Sequence, residues 1–338
     1  GSGSSSGNCL RSPVLWAKPL PLIQHNNSKR ETTSRLKTAS ILKIIPYFGK
    51  WPAWIDFYLE SCRHNPDISW LFYTDCGRPP TAPANVQFIE TTFEDYKKLV
   101  STRLDIDFNP THPYKLCDLK PALGFIHQDQ LTGYDFFAFG DIDIIYGKLR
   151  AFLTEHVLQK YNVISNHERR ISGHFCLLRN SEKYRNAFRK IPHWQQLLEN
   201  DQHLGIDESK FSKVFLPHRK HPKWLQCFWS LSSSYQRNTL YKEQYSTILS
   251  PMPWWDGSMN HPQQWFWQNG KLTNSSDGER EFMYLHFMNW KSNTWLPKPL
   301  RNEPSAWMKL DKLVHVAIDI GAKECFKISP EGFTAINS

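Results

Sequence analysis

Two aspartates at spacing i and i+2, Asp141 and Asp143, stand at the end of a strongly apolar run, residues 134–140. Placing two carboxylates in so apolar a setting costs free energy unless a cation or another partner neutralises them. Carboxylate oxygens are hard ligands that suit Mg²⁺ or Mn²⁺, and these ions keep coordination positions open for water and phosphates. The pair therefore predicts a metal–diphosphate site at the carboxyl end of a strand. A solvated turn is the alternative, and the aromatic run before the pair disfavours it.

Three further segments contain residue types that could join this chemistry. They hold Asp118 and Lys120, adjacent Asp207 and Glu208, and His286 followed five residues later by Lys291. Taken singly, each has a structural interpretation: Asp118 and Lys120 as a surface ion pair worth under about 1 kcal/mol, Asp207 as a helix cap, and His286 as a core histidine. Their order along the chain gives them weight as a set.

The elements that must position these residues alternate between strands and helices. Apolar β-runs are predicted at 41–46, 69–75, 86–89, 136–141, 162–165, 174–178 and 283–287, helices at 54–63, 93–104, 114–128, 149–161 and 181–203, and hairpin turns at Asp256-Gly257 and Asn269-Gly270. Such alternation indicates βαβ units and a mostly parallel sheet. Ligands of these sheets bind beyond the carboxyl ends of the strands, where Asp75 and Asp141 both lie.

Charge and cysteine content restrict the classes of partner. Net charge is +9, but residues 1–50 hold eight basic side chains against one acidic, so the rest of the chain is nearly neutral. A nucleic-acid-binding face is therefore disfavoured, whereas a basic tail could contact anionic lipid at the inner face of a membrane. Seven cysteines, none in a Cys-x-x-Cys motif, favour a reducing, cytoplasmic location over a disulfide framework. No apolar stretch reaches the ~18 residues that span a bilayer.

Three segments are predicted along the 338 residues. Residues 1–39 form an expression scar, GSGSSSG, and a flexible basic tail. Residues 40–295 form one catalytic domain, in which a tryptophan-rich insertion at about 220–280 lies on the acceptor side. Residues 296–338 are a C-terminal extension to which the sequence assigns no role.

The order of these motifs resembles that of the GT-A glycosyltransferases, which use nucleotide sugars. His286-Phe287 with Lys291 resembles the His-Phe-x-x-x-Lys signature of the glycogenin-like and lipopolysaccharide galactosyltransferase-like retaining enzymes, and Asp118-Leu119-Lys120 resembles the Asp-x-x-Arg helix of the mannosyltransferase-like group. The segments IIPYFG, YKLCDLKP and GDID also resemble a bacterial family of glycosyltransferase-like proteins. The resemblance implies an α/β fold of the GT-A type, Rossmann-like with a mostly parallel central sheet flanked by helices, and a Trp-rich C-terminal elaboration.

The resemblance also implies a role for each candidate residue. Mn²⁺ or Mg²⁺ would be bound by Asp141, Asp143 and His286 and would bridge the diphosphate of a nucleotide-sugar donor. The expected donor is a UDP-sugar. Asp207 or Glu208 would act at the anomeric carbon, with retention of configuration. The residues expected to bind the donor are Pro46, Tyr47, Phe48, Gly49, Asp75, Asp118, Lys120, Asp141 and Lys291. Those expected beside a glycan or glycolipid acceptor are Gly173, His174, Trp254 and Trp255.

Two other functions fit parts of the sequence. A sugar nucleotidyltransferase shares a parallel sheet and an acidic metal site, but its phosphate loop is commonly rich in glycine, and residues 46–50 contain only Gly49. A carbohydrate-binding protein without catalytic activity would stack sugar rings on Trp254, Trp255, Trp265 and Trp267. The first alternative predicts pyrophosphate release from a nucleoside triphosphate, and the second predicts glycan binding that does not depend on metal.

Overall fold

The computed structural model describes residues 38–216, 222, 224–225, 233–291 and 324–336. The chain divides into two compact units, Gly1–Lys37 and Thr38–Ser338, and all the described residues lie in the second. The thirteen strands of this part are β1 Ile41–Pro46, β2 Ile68–Thr74, β3 Val86–Glu90, β4 Phe136–Gly140, β5 Ile144–Tyr146, β6 Val163–Ser165, β7 Phe175–Arg179, β8 Thr239–Tyr241, β9 Trp265–Gln268, β10 Lys271–Asn274, β11 Tyr284–His286, β12 Cys325–Ser329 and β13 Gly332–Ala335.

A seven-stranded sheet in the order β3-β2-β1-β4-β7-β6-β8 forms the centre. The pairings β3–β2, β2–β1, β1–β4 and β6–β8 are parallel, and β7 is antiparallel to both of its neighbours. Apolar clusters cover both faces of this sheet, which is why its inner strands are continuous apolar runs. The predicted α/β fold with a mostly parallel, helix-flanked central sheet is confirmed.

Helices cover the sheet in shorter pieces than the sequence predicts. The helices, including 3₁₀ and π turns, are Ile55–Arg63, Phe93–Leu104, Pro113–Lys115, Leu116–Leu119, Lys120–Ala122, Leu123–Ile126, Gln128–Leu131, Leu149–Ala151, Glu155–Lys160, Glu182–Arg185, Ala187–Lys190, Trp194–Glu199, Ile206–Lys210, Phe211–Phe215, Ser234–Arg237 and Met288–Lys291. None of the helices in the described ranges is long and apolar enough to cross a membrane.

Three predicted helices are therefore wrong as continuous elements. Residues 114–128 change from 3₁₀ to α and back, and Pro121 lies at one such change, where a proline removes a backbone donor. Residues 149–161 break before Thr154, whose side chain caps the second helix by accepting from the Val157 amide. Residues 181–203 comprise three short helices.

The tryptophan-rich region builds a second core beside a four-stranded sheet, β10-β9-β12-β13. Its buried aromatic members are Phe57, Trp254, Trp265, Trp267, Phe282, Phe287, Trp290, Phe326 and Phe333. Asn269-Gly270 forms the predicted hairpin between β9 and β10, both residues having positive φ. Asp256-Gly257 does not join two strands: the Gly257 amide closes a turn onto the Trp254 carbonyl.

The C-terminal segment contributes to the same sheet. β12 pairs with β9, and β13 pairs with β12, so residues 325–335 are β-structure that the sequence did not predict. Most of the predicted extension, residues 292–323, lies outside the described residues, as does the predicted tail up to residue 37. The boundaries at 39, 220, 280 and 295 remain predictions.

Candidate active site

Strand β4 carries the acidic pair to the carboxyl edge of the central sheet. Its five residues are buried, and its last, Gly140, packs against the backbone of residue 174. A Cβ at Gly140 would lie 2.1 Å from the carbonyl oxygen of His174, so no larger residue fits without a shift. The next amide, of Asp141, donates to that same carbonyl at 3.0 Å. Gly140 thus fixes the point at which the chain turns to present Asp141 and Asp143.

His286 reaches the acidic pair through a short antiparallel ribbon. β5 begins one residue after Asp143 and pairs with β11, in which His286 lies opposite Ile144. The Phe287 amide donates to the Asp143 carbonyl at 3.1 Å, which closes the ribbon at its end. His286 Nε2 lies 3.9 Å from Asp141 Oδ2 and 3.6 Å from Asp143 Oδ1. The structure therefore brings together the three residues predicted to bind metal.

The His286 side chain is arranged as a metal ligand. Its Nε2 is buried and has no hydrogen-bond partner among the residues that the structure describes, while Nδ1 lies 3.2 Å from Thr247 Oγ1. If Nδ1 carries the proton, the Nε2 lone pair faces two carboxylates, and a cation between them would offset their repulsion. Ligands of one Mg²⁺ lie at most about 4.2 Å apart, twice the metal–oxygen distance. Both His286–carboxylate distances meet this limit, and one ligand atom from each of Asp141, Asp143 and His286 lies within 4.8 Å of the others. These residues fit a divalent cation.

Lys120 connects the acidic pair to the loop that carries Asp207. Its ammonium donates to Asp141 Oδ1 at 2.6 Å, to the Gly173 carbonyl at 3.0 Å and to Asp207 Oδ2 at 3.2 Å. Burial alone would lower the pKa of Lys120. The surrounding negative charges, of which Asp141 has the largest effect, instead hold this pKa well above its ordinary value. Asp141 therefore uses Oδ1 for Lys120 and directs Oδ2 towards His286.

The predicted catalytic carboxylates differ in environment. Asp207 is buried, and burial raises its pKa even though Lys120 opposes the shift. Glu208 pairs with the Arg170 guanidinium and accepts from the Gly173 amide at 3.2 Å. A Cβ at Gly173 would lie 2.6 Å from Asp207 Oδ2, so the glycine lets this backbone approach both carboxylates. Asp207 is thus the carboxylate joined to the metal-site residues, through Lys120.

Asp118 binds the backbone of the loop that precedes Asp207. Its carboxylate accepts from the amides of Leu204 and Ile206, both at 2.7 Å, and from Lys115 Nζ at 3.0 Å. Burial by itself would raise the pKa of Asp118, yet the hydrogen bonds from His203, Ile206 and Leu204 lower it to about 2. Its side chain has no exposed surface, so the predicted contact with the donor stays a prediction, and the contacts observed are with the loop before Asp207.

The predicted nucleoside pocket lies along the same sheet edge. Pro46 ends β1, Asp75 follows β2, and the Gly49 amide donates to Asp75 Oδ1 at 2.8 Å. Gly49 has φ of 111°, which a side chain would disfavour. Tyr47 stacks on Trp51, whereas Phe48 is buried against Phe93 and Tyr96. The turn and Asp75 are therefore one structural unit, and their binding of the nucleoside remains a prediction.

The predicted acceptor residues are divided between core and surface. His174 and Trp254 are buried, as are Trp265 and Trp267 of the carbohydrate-binding alternative, so these three indoles have no free face for a sugar. Trp255 is the exposed member of that set, at 47%. Lys291 is the final residue of the helix Met288–Lys291, and its side chain lies outside the described part of the chain.

Lys43 is a site residue that the sequence analysis missed. This lysine in the middle of β1 is buried, and its ammonium donates to the Asp141 carbonyl at 2.9 Å and to the Tyr146 hydroxyl at 2.6 Å. Burial lowers the pKa of Lys43 to about 7, although the charge of Asp141 opposes this. A charged residue inside the apolar run 41–46 is the sequence signal that could have identified it.

Three solved structures resemble the chain at low sequence identity. The glycosyltransferase GlyE of Streptococcus pneumoniae TIGR4 is 12% identical, with a TM-score of 0.31, over 61% of this chain and 46% of that chain. The galactosyltransferase LgtC, in complex with donor and acceptor sugar analogues, is 9% identical, with a TM-score of 0.32, over 61% and 75%. Mouse xyloside xylosyltransferase 1 in its apo form is 11% identical, with a TM-score of 0.36, over 77% and 100%. The chain thus spans less than half the length of the GlyE structure.

No curated protein matches this sequence. The model of one protein family matches residues 43–335, which include every residue assigned above to the candidate site. The chain belongs to the family of unknown function DUF6625.

Proposed function

We propose that this protein is a metal-dependent glycosyltransferase that moves a sugar from a nucleoside diphosphate donor to a glycan or glycolipid acceptor. The observation that carries the proposal is the cluster of Asp141, Asp143 and His286 at the carboxyl edge of a mostly parallel sheet. It combines a buried imidazole nitrogen that lacks a hydrogen-bond partner with two carboxylates less than 4 Å away. This edge is where α/β sheets bind their ligands.

Each part of the site has a task in such a reaction. Mn²⁺ or Mg²⁺, held by Asp141, Asp143 and His286, would neutralise the charge of the leaving diphosphate. Lys120 keeps a positive charge beside Asp141 and orients Asp207 through its hydrogen bond. Asp207 is the carboxylate that we assign to the reacting carbon, where a negative charge stabilises an oxocarbenium-like centre. Glu208 orients the loop through Arg170 and Gly173.

The finer assignments also belong to the proposal. The sequence resemblance is the basis for a UDP-sugar donor and for retention of configuration. It is also the basis for donor contacts from residues 46–49, Asp75 and Lys291. A cytoplasmic location follows from the isolated cysteines, of which the five within the described ranges are free thiols. Contact of the basic residues 11–37 with anionic lipid would place the enzyme at the inner face of a membrane.

The test is hydrolysis of UDP-sugars in the absence of acceptor. We expect release of UDP that requires Mn²⁺ or Mg²⁺ and is abolished by EDTA. Asp143→Ala should lower the rate by at least about a hundredfold, because loss of a ligand removes the ion that stabilises the leaving group. Asp67→Ala, at an exposed acid remote in sequence from the site, is the matched control. Equal rates for wild type and Asp143→Ala would reject the proposal.

A further inference from the structure

An open groove of about 570 Å³ runs beside the loop that carries Asp207, and no role has been assigned to it above. Its walls are residues 112–115 on one side and residues 201–203 on the other. The first segment leads into the two short helices that carry Asp118 and Lys120, and the second leads directly into residues 204–208. The groove is therefore built from the two segments that also position the candidate catalytic side chains.

Tyr114 presents an aromatic surface in this groove. Its side chain is 62% exposed, the highest value among the exposed tyrosines and phenylalanines of the described residues. The ring meets the imidazole of His203 edge to face, with centroids 4.8 Å apart and planes at 64°. Tyr114 thus offers an apolar surface with a polar ring beside it.

Lys115 holds the two walls at a fixed separation. Its buried ammonium donates to the carbonyl oxygens of Leu197 at 2.8 Å and Gln202 at 2.7 Å, and to Asp118 at 3.0 Å. The residue next to Tyr114 is therefore fastened to the residue next to His203. A surface held in this way loses little conformational entropy when a ligand binds.

The groove is connected to the metal site through Asp118. His203 Nδ1 lies 3.3 Å from Asp118 Oδ1, and the same carboxylate holds the amides before Asp207. The hydrogen bond with Asp118 raises the pKa of His203, which favours a protonated ring able to donate from Nε2. Lys120 then bridges Asp207 and Asp141, so hydrogen bonds and ion pairs link His203 of the groove to the acidic pair.

Trp255, the exposed tryptophan that was predicted beside the acceptor, is less suited to a ligand. Trp255 is 47% exposed, but its indole nitrogen donates to Asp277. The Arg280 guanidinium lies 4.7 Å from its ring centroid, over the ring. Trp255 thus already has a cation on one face and a carboxylate at its edge.

We propose that the groove binds a pyranose ring of the acceptor saccharide, with the apolar face of the sugar on Tyr114 and a hydroxyl accepting from His203. Burying the C–H face of a sugar against an aromatic ring removes apolar area from water. The assignment of this sugar as the acceptor rests on the proposed function, whereas its binding does not. The site lies at the Asp118–Asp207 loop and not at the tryptophans.

The experiment measures binding of simple glycosides without nucleotide and with EDTA. The probes are the methyl glycosides of glucose, galactose, mannose and N-acetylglucosamine, and the readout is saturation-transfer NMR with a titration for Kd. We expect weak binding of at least one probe, about tenfold weaker binding for Tyr114→Ala, and a change below about twofold for Tyr114→Phe. Thermal unfolding of each variant controls for the fold, which an exposed side chain should leave intact.

The inference is overturned if no probe binds the wild type, or if Tyr114→Ala binds like the wild type, whether or not Trp255→Ala weakens binding. Displacement of the bound glycoside by UDP alone would also overturn it, because the groove would then be part of the donor site. Since no metal or donor is present, failure of the UDP-sugar hydrolysis assay would leave a positive binding result standing. The converse also holds, so the two proposals fail separately.

Discussion

The imidazole ring of His174 lies flat against that of His286, with centroids 4.3 Å apart and planes 17° apart. His174 Nε2 also lies 2.9 Å from the Tyr284 hydroxyl and 3.0 Å from Ser172 Oγ. Burial holds the pKa of His174 well below its ordinary value, so its ring stays neutral. A neutral, hydrogen-bonded ring can fix the plane of the adjacent ligand without repelling a cation. His174 is therefore placed to support His286 as a ligand, and its predicted place beside the acceptor stays a prediction.

Removing this support should weaken metal binding. His174→Ala is expected to lower Mn²⁺ affinity by about 10- to 100-fold, the usual cost of losing a residue that orients a ligand. His174→Phe keeps a flat ring against His286 and should retain more of the affinity than His174→Ala. Electron paramagnetic resonance of free Mn²⁺ gives the dissociation constants. Equal affinities for wild type and His174→Ala would contradict the supporting role.

Thr247 orients His286 from the opposite nitrogen. Its hydroxyl oxygen lies 3.2 Å from Nδ1 of His286. When this oxygen accepts a hydrogen bond from the Nδ1–H group, Nε2 is left free for the ion. Thr247→Val removes the hydroxyl at nearly constant volume and should weaken Mn²⁺ binding by about tenfold or more, whereas Thr247→Ser should stay close to wild type. Calorimetric titration with Mn²⁺ checks this. A Thr247→Val variant that binds as tightly as Thr247→Ser would show that the hydroxyl does not set the tautomer.

Lys120 should matter for stability as well as for the site. Its side chain and that of Asp207 are each less than 10% exposed, and breaking such a pair leaves an uncompensated buried charge. Lys120→Met is therefore expected to lower the free energy of unfolding by about 3–5 kcal/mol. Adding Asp207→Asn removes one of the stranded charges and should recover part of the loss, which a double-mutant cycle in urea would show. Purely additive losses would contradict the coupling of Lys120 and Asp207.

Stability should fall at mildly acidic pH through His127. Burial lowers the pKa of this imidazole to about 3, and its Nε2 lies 2.9 Å from the Tyr96 hydroxyl. In the unfolded chain the ring titrates near its ordinary value of about 6.5, so the unfolded state takes up the proton first. The contribution of His127 to the free energy of unfolding is therefore complete above that pH. It is lost as the pH falls, by about 2 kcal/mol between pH 7 and pH 5.

The matched variant for this prediction is His127→Gln, which keeps an acceptor for Tyr96 but does not titrate. Urea unfolding at pH 7, 6 and 5 should show a flatter pH dependence for His127→Gln than for wild type, by about that same 2 kcal/mol. Other buried histidines act in both proteins and cancel in the difference. Parallel curves would show that His127 is not the group responsible.

The sequence was most informative where local pattern determines the outcome. The apolar runs ending at Pro46, Asp75 and Gly140 predicted strands, and parallel pairing then placed their ends at one edge. His286 could be assigned to the acidic pair only through the family resemblance, because 143 residues separate it from Asp143. Nothing local indicates that β5 and β11 pair and close this distance.

Tertiary contacts decided what the sequence could not. Asp118 has the spacing of a substrate contact, yet two amides from a loop 86 and 88 residues away occupy its carboxylate. The break in residues 114–128, by contrast, has a local signal, Pro121, which the helical periodicity outweighed in the prediction. The tryptophans resemble a sugar-binding surface in the sequence, whereas burial of Trp265 and Trp267 makes them core. The groove at Tyr114 depends on Lys115 reaching Gln202 and has no local signal.

The ribbon of β5 and β11 also has a consequence for the order of events during synthesis. Both aspartates leave the ribosome more than 140 residues before their histidine does. A nascent chain that has folded its first strands therefore has an incomplete ligand set, with Lys120 as the counter-ion of Asp141. Tight capture of a divalent ion becomes feasible only when residues 284–286 dock beside residues 144–146. Ion loading would then report that β11 has docked on β5.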